Sequence, residues 1–171
     1  MPRLSKERGK HWSRTLEKIH LTAAGQTRLD NELRELKTVR RPQVIQDIAE
    51  ARAHGDLSEN AEYHAAREEQ SHIEGRIKEL EAVLSLADVV DVSKLSGTIK
   101  FGATVDLADE ETDEEITYQI VGQHEANIDA NLLNLQSPLA RALIGKEEGD
   151  SVEVRTPGGT RSYEVLSVKF I

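Results

Sequence analysis

The chain has no cysteine. That excludes disulfide staples and thiolate metal sites, and it is compatible with a reducing cytoplasm. Aromatic residues are also scarce, at 4%, which is low for a single compact globule. A rod filled by aliphatic side chains and flanked by charge accounts for the shortage. Positive charge is outweighed, with a formal net charge of −9, and this argues against a sequence-independent DNA binder, which needs a broad basic surface. No apolar run approaches the roughly 18 residues of a membrane span. The polar start MPRLSKERGKHW has no signal-peptide core. The expectation is a soluble cytoplasmic protein without a membrane partner. The sequence also lacks H-E-x-x-H, a Walker loop and any nucleophile motif, so nothing in it builds a complete active site.

What is present is a pair of matched helical stripes. Leu29, Leu33, Leu36, Ile45, Ile48 and Ala49 are followed by Ala61, Ala65, Ile73, Ile77, Leu80, Val83, Leu84 and Ala87, in steps of three and four that put each set on one helix face. Gly55 separates them. Folding the chain back at residues 56–57 sets Ile48 against Ala65, Leu36 against Ile77, Leu33 against Leu80 and Leu29 against Leu84. This register predicts an antiparallel helical hairpin over 21–92, with its tip at 55–62 and an arm roughly 40 Å long at 1.5 Å per residue. Thr22 is the expected N-cap of the first helix. Pro42 is expected to kink it. The second helix is placed at 58–87, with Glu69 and His72 near its seam. Residues 1–20 read as a basic, disordered extension.

Beyond residue 93 the period changes. Segments 103–107, 116–121, 151–155 and 163–168 alternate or are β-branched, Thr156-Pro157-Gly158-Gly159 forms a turn, and Asp109 to Glu115 form an acidic loop. Ser137-Pro138 opens a short helix that Gly145 ends. The fold class is α+β: a two-helix coiled-coil hairpin, then over 93–171 a small antiparallel sheet with one short helix.

At the tip, Asp56-Leu57-Ser58-Glu59 has the form of a capping box, in which Asp56 accepts a backbone N–H and Glu59 reaches back. A second reading competes with it. Asp56, Glu59 and Glu62 crowd the end of an arm with little to pack against. Carboxylates are the hard ligands that hold Mg²⁺ together with waters and substrate phosphate, so such a probe could complete a metal site elsewhere. His54 and His64, with Glu59 or Glu68, are weaker candidates for a transition metal than for solvated side chains. Arg52 and Arg67 are either solvated side chains or a grip on an RNA phosphate beside the acids.

The string VRRPQVIQDIAEARAHGDLSENAEYHAAREEQSHIEGRIKELE, with FGATVDL, EITYQIVG and NLQSPLARALIGKEEGDSVEVRTPGG, resembles the GreA/GreB family of bacterial transcript-cleavage factors, nearer its GreA branch. The resemblance runs collinearly from Leu21 to Ile171. It implies that the second half has the FKBP-like fold and docks at the rim of the RNA polymerase secondary channel. The hairpin would then enter the channel as a monomer. Asp56 and Glu59 would serve as catalytic acids that help retain a Mg²⁺ ion of the polymerase site, so the polymerase cleaves backtracked RNA. On this reading the chain is not itself an enzyme and holds no tightly bound cofactor. Arg67, and less directly Arg52, match positions facing the extruded RNA 3′ end. Ser137, Pro138, Leu139, Ala140 and Arg141 match a polymerase-binding stretch, against the plainer reading of an N-capped structural helix. Two departures stand out: Ser58 lies where relatives often carry Lys, and the residues before Leu21 have no counterpart.

Three rivals are weighed. A non-cleaving regulator of the same channel would share the hairpin but not need the acids. Prolyl isomerase activity would need an aromatic cage that Phe101, Tyr118, Tyr163 and Phe170 scarcely supply. A coiled-coil adaptor would be indifferent to both tip acids.

Overall fold

The computed structural model describes residues 17–171; most of the basic extension expected over 1–20, Trp12 included, lies outside the described residues. Its last two positions do not belong to an extension at all. Ile19–Thr22 is a strand, β1, and Ala87–Val90 is a second, β2, paired with it in parallel from Ile19 opposite Ala87 to Thr22 opposite Val90. Parallel neighbours need a long crossover, and the entire hairpin is that crossover. Its helices are α1 (Ala23–Glu35), α2 (Arg41–Ala53) and α3 (Ala61–Ser85).

Thr22 caps α1 as expected, its side chain accepting from the Gly25 N–H. Pro42 does not break the helix. Residues Leu36–Arg40 form one π-helical turn, in which the Arg41 N–H donates to the Leu36 carbonyl. The wider turn precedes Pro42, which can donate no hydrogen bond and would crowd the carbonyl four residues back. The helical path therefore continues to Ala53.

That extra residue also shifts the apolar phase. A seam running through Leu29, Leu33 and Leu36 continues as Val44, Ile48 and Ala51, all buried, one position later than an uninterrupted α-helix places it. Of the expected seam residues there, Ile48 is buried, while Ile45, at 52%, and Ala49 are exposed. On α3 the seam takes Ala66, Ile73, Ile77, Leu80 and Val83; Ala61, Ala65 and His72 face outward. Leu33 and Leu36 pack against both Ile77 and Leu80, so the hairpin register holds up to the π turn. Arg41 clasps Glu74 through two bonds of 2.7 and 2.9 Å, and Arg76 clasps Glu32 at 2.6 and 2.9 Å. Lys37–Glu81 and Arg40–Glu69 add further cross-arm pairs.

The second half is a five-stranded sheet of β3 (Thr104–Asp109), β4 (Glu115–Val121), β5 (Leu132–Asn134), β6 (Ser151–Thr156) and β7 (Gly159–Lys169). Their order is β5-β4-β3-β7-β6. All neighbours are antiparallel except β4 and β5. The short helix α4 (Pro138–Leu143) lays Ala140 and Leu143 onto a core of Ile99, Val105, Leu107, Ile120 and Val165. The α+β class with one short helix is as the sequence implied. In the acidic loop, Asp109 is spent on structure: Oδ1 accepts from the Glu111 and Thr112 N–H groups, and Arg161 lies 3.2 Å from Oδ2.

Candidate functional site at the hairpin tip

Helix α2 ends at Ala53, and Gly55 turns the chain with a φ of 127°, in the left-handed region that favours glycine. From there the local chemistry departs from a capping box. The Asp56 Oδ1 accepts from the Ser58 N–H at 3.0 Å and from the Ser58 hydroxyl at 2.9 Å. This is the side-chain turn that Asp favours over helix. Glu59 does not reach back, and α3 begins only at Ala61. The expected box, and the expected start at Ser58, are thus corrected: the competing turn keeps both acids out of the helix.

The residue that caps α3 is Asn60, which the D-x-x-E string obscured. Its Oδ1 accepts from the Tyr63 N–H at 3.0 Å, and its amide donates to the Ala51 carbonyl at 2.7 Å. One side chain therefore caps the incoming helix and ties it to the last turn of the outgoing one. An Asn directly before the periodic AEYHAAR run was the available signal. Around it, Arg52 lies over the Tyr63 ring, 5.8 Å from its centroid. Tyr63 meets His64 edge-on at 5.6 Å, and the His64 Nε2 is 3.1 Å from the Ser58 carbonyl.

On this frame Asp56 and Glu59 stand in solvent, beside a concavity of about 490 Å³ lined by His54, Asp56, Glu59, Asn60, Ala61 and Glu62. The bond from the Ser58 backbone N–H, followed by that from its hydroxyl, holds the Asp56 carboxyl below the usual aspartate range. Its Oδ2, and both oxygens of Glu59, have no hydrogen-bond partner among the described residues. Hard carboxyl oxygens with open lone pairs fit Mg²⁺, but two carboxylates are a fragment of an octahedral set. Among the described residues no group of three or more His, Asp or Glu side chains converges on a cation position.

The other predicted residues are dispersed. Arg52 and Arg67 are exposed on different helices; Arg67 bonds Gln70 at 3.2 Å, and neither arginine pairs with a tip acid. Ser137 caps α4, accepting from the Ala140 N–H at 3.2 Å. Ala140 is fully buried in the core, leaving Pro138 and Arg141 outward and Leu139 half-buried. No helix among the described residues is long and apolar enough to cross a membrane.

Comparison with known proteins bears on these features. The N-terminal domain model of the GreA/GreB transcription elongation factors matches residues 19–89, and the C-terminal domain model matches 94–170. A transcription elongation factor GreA of Cereibacter sphaeroides is 72% identical over 156 residues, covering 91% of this chain and all of the relative. That of Ruegeria pomeroyi is 69% identical over 155 residues, covering 91% and 99%. Among solved structures, the GreA factor homolog 1 protein of Thermus thermophilus is 30% identical, covering 90% of this chain and 99% of its own, with a TM-score of 0.42.

Proposed function

This chain belongs to the GreA/GreB family of transcription elongation factors, and from that premise we propose that it stimulates RNA cleavage by bacterial RNA polymerase through its hairpin tip. The hairpin enters the secondary channel while the globular half, with α4, docks at the rim. The single observation that carries this reading is the state of the tip. Asp56 and Glu59 lie exposed and outside any helix cap, with carboxylate oxygens free to reach a cation held by another protein.

Asp56 and Glu59 would help hold a magnesium ion of the polymerase active site, which would supply Lewis-acid activation of water and charge stabilisation there. This chain's residues act around that chemistry. Asp56 presents Oδ2 while Ser58 holds Oδ1, so the carboxylate is oriented before contact. Glu59 supplies a second negative group from the same loop. Asn60 keeps the two helix ends together and therefore keeps the loop's shape. Arg52 and Arg67 lie on the flanks, where a guanidinium can meet the phosphates of an extruded RNA 3′ end. The factor acts as a cytoplasmic monomer with no tightly bound cofactor and does not hydrolyse RNA alone.

The test uses stalled, backtracked polymerase complexes carrying end-labelled RNA. Asp56→Asn retains an oxygen for the Ser58 turn and removes the charge; Glu59→Gln does the same for its partner. Each is expected to reduce stimulated cleavage by about a hundredfold, the scale of losing one preorganised charge partner, while still competing with wild type for the polymerase. Equal cleavage by wild type and both variants would falsify the proposed role. In that case a non-cleaving regulator of the same channel becomes the better account.

A further inference from the structure

Glu125, in the loop after β4, is the buried acid that the tip mechanism leaves unused. Its side chain is 1% exposed. Its Oε2 accepts from the Thr22 N–H at 3.0 Å, its Oε1 accepts from the Thr22 hydroxyl at 2.5 Å, and Arg28 lies 3.7 Å away. The Thr22 hydroxyl in turn accepts from the Gly25 N–H. A carboxylate of the globular half is therefore seated on the first turn of α1, where the helix dipole and unpaired N–H groups favour negative charge.

The fit is close enough to dictate residue type. A Cβ at Gly25 would lie 1.7 Å from the Glu125 Oε1. The same junction has one more contact this tight and one at ordinary van der Waals distance. A Cβ at Gly102 would lie 2.5 Å from Val92 Cγ1, and one at Gly122 would lie 3.4 Å from the His20 carbonyl oxygen. The His20 and Phe101 rings also meet across it, with centroids 6.3 Å apart.

We propose that Glu125 is a positioning residue for the tip: its contacts with Thr22, Gly25 and Arg28 fix the direction in which the hairpin leaves the globular half. This rests on the function proposed above, because a fixed direction matters only if the tip must meet a target while the globular half is docked. The lever is long. From Ala23 to Ala53 the helical path is about 45 Å at 1.5 Å per residue. A rotation of about 5° at the base therefore moves the tip about 4 Å, and a misplacement of about 1 Å can cost a catalytic step about a hundredfold.

The full chain has no native cysteine, so spin labels can be placed cleanly at Glu68→Cys on α3 and Glu111→Cys in the globular half. The otherwise unchanged protein is expected to give one narrow distance distribution. Glu125→Ala, and independently Gly25→Ala, which drives the carboxylate out, should broaden or shift it by roughly 2 Å, the same rotation of about 5° taken over the roughly 26 Å from Ser85 to Glu68 at 1.5 Å per residue. In backtracked complexes the same variants should lose about tenfold to a hundredfold in cleavage rate at saturating factor, with little change in the half-saturating concentration. Glu125→Gln has the same shape and can still pair with Thr22, so it should restore both readouts. Unchanged distances in both Glu125→Ala and Gly25→Ala overturn the proposal. So does a pure loss of polymerase affinity with the rate intact. If the wild type itself stimulates no cleavage, the functional reading fails, and the label distances still decide whether Glu125 sets the direction.

Discussion

At the base of the hairpin, a carboxylate is packed against the start of α1; at the far end, two more stand just ahead of the start of α3. Glu125 is buried and uses both oxygens on Thr22. Asp56 is exposed and uses one oxygen on Ser58, and Glu59 uses neither. The difference follows from what surrounds each end. At the base, β1, β2 and the sheet loop remove water, so a buried carboxylate has to satisfy every lone pair and becomes structural. At the tip nothing packs around the loop. Asn60 takes over the capping, and the acids remain available to a partner. The same chemical group is therefore a fastener in one place and an exposed, largely unpartnered ligand in the other.

The sharpest way to break this contrast is to neutralise each end in turn. Asp56→Asn is expected to remove most stimulated cleavage while leaving the thermal midpoint unchanged, since Asn keeps an oxygen for the Ser58 turn and an exposed charge contributes little to folding. A fall in the midpoint comparable to a lost core contact would mean that Asp56 is structural after all. At the base the order reverses. Gly25→Ala should destabilise the full chain by about 2 kcal/mol, the usual scale for forcing atoms into a packed site, measured as a shift in the urea midpoint. A neutral result would show that the Glu125 contact yields without strain.

A smaller effect separates the cap from the acids. Asn60→Ala removes the bond to the Tyr63 N–H and the tie to Ala51. It should cost about 1 kcal/mol and speed amide exchange at Tyr63, with the seam residues Ile73 and Ile77 unaffected. Protection at Tyr63 equal to wild type would return the capping role to another residue.

The smallest prediction concerns pH. The two bonds from Ser58 depress the Asp56 pKa, so the turn they form is fully present above the ordinary aspartate value of 3.8 and is lost as pH falls through the lower folded value. A carboxyl-detected titration should find Asp56 titrating below the ordinary aspartate value. Ser58→Ala should move it only part of the way back, because the backbone N–H is the larger cause. A full return to the ordinary value would make the hydroxyl the main donor instead.

Much of this was legible from residue spacing, and the failures have specific causes. Leu29, Leu33, Leu36, Ile77 and Leu80 announced the hairpin because the pattern is long and its period uninterrupted. Beyond Arg40 the pattern placed Ile45 and Ala49 in the seam beside Ile48, whereas the fold buries Val44, Ile48 and Ala51, a phase set through the π turn that nothing in LKTVRRPQ marks. The strands β1 and β2 were missed because four residues each, IHLT and ADVV, carry too little alternation, and each needs the other to exist. At the tip the two exposed acids were singled out, but the cap of α3 was assigned upstream of Asn60. A D-x-x-E string fits a capping box as well as it fits an aspartate turn.

Periodicity, turn chemistry and the order of motifs along the chain were enough to specify an aliphatic arm, an acidic end and an α+β class, because each is encoded by neighbours in sequence. The helical phase after the π turn, the pairing of β1 with β2, and the seating of Glu125 on Thr22 and Gly25 were decided only by the fold. Those contacts join residues far apart in the chain, and burial alone determines whether a carboxylate there is satisfied or free.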